Sequence, residues 1–143
     1  LDYIHSVERI SKLSNVISIN GGVQLDLMGQ ENAESTGTRQ LSGVGGQMDF
    51  LEGAYRSKGG KGFICINSSR VTKDGERKSN ILATIPGGST ISAPRTMIQY
   101  VATEYGIASL SGKTLRERAE AMAAIAHPDF REELMKYARE NFK

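Results

Sequence analysis

The sequence is poor in several residue types that specialised proteins depend on. It has one cysteine, no tryptophan and three prolines, and aromatic residues make up 6% of its 143 positions. The lone Cys65 cannot form an internal disulfide, which fits a reducing cytoplasm, and its apolar neighbours favour a small core residue over a nucleophile. No apolar run approaches the roughly 20 residues that span a bilayer, and no signal-peptide pattern occurs. We therefore expect a cytoplasmic protein with no membrane partner.

Charge clusters and metal ligands are equally scarce. The net charge is +2 and no block of like charges occurs, which argues against a nucleic-acid partner. The two histidines, His5 and His127, lie far apart in the sequence, so with one cysteine they form no ligand cluster and no metal is expected. His127 precedes Pro128 and is typical of a junction between helices. The sequence has no Gly-x-Ser-x-Gly motif of a nucleophilic serine. Gly43 and Gly45 begin a Gly-x-Gly-x-x-Gly dinucleotide-binding motif, but its sixth position is Met48.

The pattern of apolar residues predicts an α/β domain that occupies all 143 residues. Apolar spacing of three and four favours helices at 3–13, 49–56, 115–126 and 129–141. Strands are expected at 15–28 (a hairpin or a strand–bulge–strand, with Gln24 and Asp26 on a solvent-exposed face), 63–66, 81–85, 90–91 and 98–103. Residues 29–41 are expected to form a polar loop that could hold a short extended piece. The sheet should be mixed or mostly parallel and flanked by helices.

The C-terminal third carries the clearest helix signals. Thr114 and Glu117 form a capping box, in which each side chain bonds to the other residue's backbone amide. Pro128 stands at a favoured first-turn position of the last predicted helix. Phe130, Leu134 and Tyr137 then give this helix an apolar stripe.

The segment 42–50, Ser-Gly-Val-Gly-Gly-Gln-Met-Asp-Phe, is the most suggestive stretch for function. It places three glycines in four positions and then passes directly into a predicted helix. Glycine permits positive φ and close approach of backbone to a ligand, while a helix start offers free N–H groups to an anion or oxyanion. An ordinary glycine-rich turn is the alternative, since a motif alone is a hypothesis.

A second glycine-rich turn, 58–62, is basic. It is not a phosphate-binding P-loop, because Lys61 is followed by Gly62 rather than Ser or Thr. Lys58 or Lys61 could still contact a phosphate, and a solvated turn is the alternative.

Taken together, the motifs resemble the C-terminal domain of the acetyl-CoA hydrolase/CoA-transferase family, and among its members the 4-hydroxybutyrate and butyrate:acetate CoA-transferases. The resemblance covers nearly the whole chain in order. It is carried by the runs at 20–30, 37–39, 42–50, 58–61, 101–108, 110–113, 116–120 and 126–131.

The resemblance implies a CoA-transferase-like (NagB/RpiA-type) fold and a reaction. Family members move CoA between short-chain carboxylic acids through a glutamyl-CoA thioester, with acyl-CoA as substrate and no permanently bound cofactor. It implies that the Gly46 N–H contacts the oxyanion or thioester, with Gly43, Val44, Gly45 and Gln47 shaping the site. Arg95 falls in a loop that faces CoA in the family, and a guanidinium suits phosphates; surface decoration is the alternative.

Two departures from the family pattern bear on the site. The family's nucleophilic glutamate lies upstream of every motif matched here, and none of Glu31, Glu34, Glu52 or Glu104 matches its motif. His5 stands near a position that is commonly an asparagine; its imidazole could donate one hydrogen bond to the acyl oxygen, or it could be a solvent-facing helix residue.

The chain begins at Leu1 rather than Met. We therefore expect it to be the C-terminal half of a two-domain CoA-transferase that forms homo-oligomers, inactive without the N-terminal half. An acyl-CoA hydrolase and a non-catalytic acyl-CoA binding module are the alternatives.

Overall fold

The computed structural model describes residues 2–143, which contain four helices and eleven short strands. The helices are α1 (Val7–Lys12), α2 (Gln47–Arg56), α3 (Leu115–Ala124) and α4 (Pro128–Asn141). The strands are β1 (Ile17–Gly21), β2 (Gln24–Asp26), β3 (Glu31–Asn32), β4 (Ser35–Thr36), β5 (Arg39–Gln40), β6 (Lys61–Cys65), β7 (Ser69–Val71), β8 (Arg77–Ser79), β9 (Ile81–Leu82), β10 (Tyr100–Thr103) and β11 (Gly106–Ser109).

A four-stranded mixed sheet lies at the centre of the fold. Its order is β1-β6-β10-β11; the first three strands are parallel, and β11 runs antiparallel to β10. Smaller sheets of order β3-β2-β9, β4-β5 and β7-β8 lie outside it. The predicted α/β architecture with a mixed sheet is confirmed.

All four predicted helices are present, with ends that differ from the predicted ones by up to four residues; α3, for example, ends at Ala124 and not at residue 126. α1 starts at Val7 and not at residue 3, because the Ser6 side chain caps the helix by accepting a hydrogen bond from the Arg9 amide. α2 starts at Gln47, two residues earlier than predicted. The capping box of α3 is present in both directions, so this prediction is confirmed.

The predicted hairpin at 15–28 is wrong. β1 pairs in parallel with β6 of the central sheet, whereas β2 pairs with β3 and β9 of another sheet. The expected wet face of this region is also wrong, since Gln24 and Asp26 are buried. Asp26 can be buried because its carboxylate accepts hydrogen bonds from the amides of Met28 and Gln30.

Three other expectations about strands need correction. The predicted loop at 29–41 contains the short strands β3, β4 and β5. Residues 90–91 are not in a strand, and β11 was not predicted. These elements are two to four residues long, too short for side-chain alternation to reveal them.

The hydrophobic core lies on one face of the central sheet. Ile64, Val101 and Ala108 point towards it and pack with Leu51 of α2 and Met122 of α3. None of the helices within residues 2–143 is both long and apolar enough to cross a membrane.

The opposite side of the central sheet, which we call the open face, carries apolar side chains that no helix of residues 2–143 covers. Ile17, Ile19 and Ile107 are 52%, 69% and 64% exposed. Between them, the half-buried rings of Phe63 and Tyr100 stack with centroids 4.9 Å apart. Parallel sheets are normally covered on both faces, whereas this face is uncovered within residues 2–143.

Candidate functional site

The topology places the glycine segment at the edge of the sheet where ligands bind in open α/β folds. Because β1, β6 and β10 are parallel, their carboxyl ends share one edge. The crossover from β1 to β6 ends with α2, so the start of α2 lies at this carboxyl edge and its end lies at the other. Ligand sites of such sheets lie outside the carboxyl ends of the strands.

The backbone of the glycine segment explains why glycines stand there. Gly45 has a φ of 60°, in the left-handed region that favours glycine. Gly46 is the N-cap of α2 with a φ of −98°, and no side chain caps this end. The first-turn N–H groups and the positive end of the helix dipole are therefore available to a negatively charged group.

His5 packs directly against Gly46. A Cβ built on Gly46 would lie well under 3.0 Å from ring atoms Cε1 and Nδ1 of His5, so the ring can keep this position only against a glycine. The His5 ring meets Phe50 edge-to-face with centroids 5.2 Å apart, and its Nδ1 lies 3.5 Å from Oδ2 of Asp49. The structure thus brings together two residues 41 positions apart, both singled out in the sequence analysis.

Asp49 is the member of this cluster that the sequence analysis missed. With Asp2, His5 and Gly45 it lines an open cavity of about 380 Å³. Its position in the first turn of α2, where an acidic residue suits the helix dipole, was the available signal. An imidazole beside a carboxylate and a bare helix start can orient and hydrogen-bond a polarised carbonyl oxygen.

Glu31 is a buried carboxyl group behind the glycine segment. Its side chain is fully buried, and Nε2 of Gln47 donates a hydrogen bond to its Oε2. Burial raises the pKa of Glu31 to about 8, although the hydrogen bond from Gln47 opposes the rise. The other carboxylate oxygen, Oε1, has no hydrogen-bond partner among the described residues. No pattern in the sequence distinguishes this glutamate from a solvated loop residue.

A second cavity opens at the carboxyl edge itself. It measures about 450 Å³ and is lined by Gly22, Cys65, Ile66, Asn67, Ala102 and Thr103. Nearby, the amide and hydroxyl of Ser68 donate hydrogen bonds of 2.9 and 2.6 Å to the Glu104 carboxylate. Desolvation alone would raise the pKa of Glu104, but the two bonds from Ser68, a backbone hydrogen bond within Glu104 and the charge of His127 together hold the pKa below its ordinary value. Glu104 is therefore an ionised carboxylate engaged by Ser68.

Two of the three basic residues proposed as phosphate contacts, Lys58 and Lys61, lie away from the glycine segment. Lys61 begins β6 and Lys58 precedes it, so both lie at the amino edge of the sheet, beyond the far end of α2. Arg95 is exposed, and its Nη1 lies 3.6 Å from the Met28 sulfur. Val44 is exposed within the glycine segment. Contact of these three basic residues with CoA stays a prediction. It is compatible with positions away from the glycine segment, because the phosphates of CoA are many bonds from its thiol.

Comparison with known proteins agrees with the family resemblance. A family model described as "Acetyl-CoA hydrolase/transferase C-terminal domain" matches residues 1–138. The chain is 47% identical over 138 residues to a butyryl-CoA:acetate CoA-transferase of Anaerostipes caccae, covering 96% of this chain and 31% of that protein. It is 48% identical over 142 residues to a 4-hydroxybutyrate coenzyme A transferase of Clostridium kluyveri, covering 99% and 32%.

A solved structure shows the same fold. The crystal structure of RipA from Yersinia pestis superposes with a TM-score of 0.85 at 40% identity, over 97% of this chain and 30% of that one. The chain thus spans about a third of the length of the proteins it matches.

Proposed function

Because this chain belongs to the acetyl-CoA hydrolase/transferase C-terminal domain family, we propose that it forms part of a CoA-transferase that moves CoA between short-chain carboxylic acids. The observation that carries the proposal is the glycine segment at the carboxyl edge, with His5 packed on Gly46 and held beside Asp49. The chain supplies the thioester and oxyanion contacts, and the nucleophilic glutamate comes from the portion of the enzyme that these residues do not cover.

The proposed chemistry has two half-reactions. A glutamate carboxylate attacks the thioester carbonyl and the C–S bond breaks. The CoA thiolate departs, and an acyl–glutamyl anhydride remains on the enzyme. The thiolate then attacks the glutamyl carbonyl, which releases the first carboxylic acid and forms glutamyl-CoA; a second carboxylate reverses the sequence. Each step passes through a tetrahedral oxyanion. The Gly46 N–H is suited to stabilise it, and His5 is placed to add a second contact.

Two carboxylates near the site, Glu31 and Glu104, are poorly suited to act as the nucleophile, which supports a nucleophile from outside these 143 residues. Glu31 is fully buried and cannot meet a thioester. Glu104 is engaged by two hydrogen bonds from Ser68. The matched relatives are about three times as long as this chain, which leaves ample sequence to provide the glutamate.

The open face supports the same arrangement. Its exposed isoleucines and stacked aromatic pair are what a sheet presents when another layer of the same protein covers it. We assign that layer to the N-terminal remainder of the longer enzyme, which would complete the site and bring the nucleophile to the carboxyl edge.

The first prediction is that the purified 143-residue chain exchanges no CoA between acetyl-CoA and a labelled short-chain carboxylate, whereas the full-length protein does. Borohydride reduction or hydroxylamine treatment of the full-length protein during turnover should mark one glutamate, located by mass spectrometry outside residues 1–143. Exchange by the short chain alone, or a mark on Glu31 or Glu104, would refute the assignment of the nucleophile.

A thioester hydrolase is the second candidate, because the matched family includes hydrolases. It would use the same residues and differ in letting water reach the glutamyl adduct. Rates of thioester loss with and without acceptor carboxylate separate the two: a transferase needs the acceptor, and a hydrolase does not. A non-catalytic acyl-CoA binding module would form no covalent adduct under either condition.

A further inference from the structure

Glu31 is held rigidly in a position that points its carboxyl group towards the site. Its backbone amide donates to the Ala93 carbonyl at 3.0 Å, and its carbonyl accepts from the Ser92 amide at 2.8 Å. The missing side chain of Gly22 makes room for the carboxyl group: a Cβ there would lie 2.6 Å from Oε1 of Glu31. The same Cβ would lie 3.0 and 3.2 Å from Ile66 and Ile64, so the carboxyl group has apolar neighbours.

The surroundings of Glu31 contain no counter-ion. Within residues 2–143, it forms no salt bridge with a lysine, arginine or histidine. The titratable groups on neighbouring elements are Glu34 in the same segment, Asp26 on the paired strand β2, Arg95 two residues after Ala93, Asp49 two residues beyond Gln47 on α2, and His5 against Gly46. The Asp26 carboxylate is bound by the amides of Met28 and Gln30, and Arg95 is exposed. An ionised Glu31 would therefore be an uncompensated buried charge, which is why its pKa is raised to about 8 and why it is neutral at pH 7.

Segment 31–34 anchors the glycine segment from both sides. Upstream, the amides of Leu41 and Ser42 donate to the Glu34 carbonyl at 2.7 and 3.2 Å. Downstream, Gln47 donates to the Glu31 carboxyl group. Between these anchors, residues 43–45 are exposed. The conformation of the glycine segment thus depends on the two anchors.

We propose that Glu31 in its neutral form is a positioning residue: it holds the Gln47 side chain, and through it the first turn of α2, so that the Gly46 N–H stays aimed at the reacting carbonyl. The role at a reacting carbonyl rests on the proposed function, whereas the anchoring of Gln47 by Glu31 does not. An ionised Glu31 would accept the Gln47 hydrogen bond more strongly, but it would also be an uncompensated charge in an apolar space. Ionisation therefore favours local opening that brings water to the carboxylate, and this opening loosens the glycine segment.

The sign of the pH effect follows from the raised pKa. The folded state keeps the Glu31 proton up to about pH 8, whereas the unfolded chain loses it near 4.5. The contribution of this group to stability is therefore fully present below about pH 4.5 and declines as pH rises through about 8.

The test compares Glu31→Gln, which is permanently neutral and can still accept from Gln47, with Glu31→Ala and with Glu52→Gln, a control that removes a surface carboxylate from α2. Hydrogen exchange of the peptide spanning 41–50 is followed by mass spectrometry in the full-length protein and corrected for the intrinsic exchange rate. For the wild type and the control, protection should fall about tenfold between about pH 7 and about pH 9. In Glu31→Gln it should change less than about twofold, and Glu31→Ala should be loose at both values.

Activity provides the second readout. In the wild type, kcat should decline as pH rises through about 8. Glu31→Gln should remove this decline and leave KM for acyl-CoA nearly unchanged, and Glu31→Ala should lower kcat at all pH values. If Glu31→Gln retains the wild-type dependence of exchange on pH, or Glu31→Ala protects the segment as well as the wild type, the anchoring is wrong. If exchange behaves as expected and the full-length protein transfers no CoA, the proposed function fails and the anchoring stands.

Discussion

Replacing Gly46 with alanine is expected to lower kcat/KM of the full-length protein by about 10²–10³-fold, because the added methyl group displaces His5, which we propose makes one of the oxyanion contacts. Alanine adopts the φ of −98° at this position without strain, so the backbone tolerates the change. The added methyl group instead meets the His5 ring, which must move away from α2 and from Asp49. A single carbon atom thereby removes the imidazole contact, while the backbone N–H of residue 46 stays in place.

The matched control is Gly87→Ala. A Cβ on Gly87 meets nothing within 4 Å, and its φ lies outside the left-handed region, so this variant should behave as the wild type. Thermal unfolding of both variants checks that the loss at Gly46 is not a loss of fold. Wild-type kcat/KM in a folded Gly46→Ala variant would remove the His5 contact from the mechanism.

Features that depend on local chemistry could be predicted from the sequence. The Thr114–Glu117 capping box and Pro128 determine helix starts through contacts within one turn, so their signals need no tertiary context. The glycine segment was also recognisable, because three glycines before a helix have few structural explanations. His5 beside Gly46 agrees with the family resemblance, which carries the tertiary information that composition and periodicity lack.

Features that depend on distant partners could not be predicted. Alternating polar residues at Gln24 and Asp26 have the pattern of a wet strand face, yet Asp26 is buried because local amides satisfy its carboxylate. The hairpin was wrong for a related reason: pattern alone does not say which strand is the neighbour, and β1 takes its partner from 40 residues along the chain. Burial of Glu31 likewise depends on a space left by Gly22, the residue that follows β1.

Arg118 is the buried cation on which the second large effect depends. It is 8% exposed and donates to three carbonyls: from Nε to Met28 at 2.8 Å, from Nη1 to Leu110 at 2.8 Å and from Nη2 to Arg95 at 2.7 Å. Burial, and then the positive charge of Arg95, lower its pKa from the ordinary value, while the charge of Asp26 opposes this. The guanidinium is thus held mainly by backbone carbonyls, and it ties the loop that carries Arg95 to α3.

Arg118→Met is therefore expected to lower the free energy of unfolding by roughly 3–5 kcal/mol, because three carbonyls lose charge-assisted donors and stay in a space that water enters poorly. Arg118→Lys should recover only part of the loss, since one ammonium group cannot match a planar fork aimed at three acceptors. Arg116→Met on the same helix is the control: it breaks only the exposed pair with Glu120, at 3.0 Å, and should cost less than about 1 kcal/mol. Urea unfolding measures all three. Equal midpoints for the two methionine variants would mean that water satisfies these carbonyls as well as Arg118 does, and that the position of Arg95 is determined by its own loop.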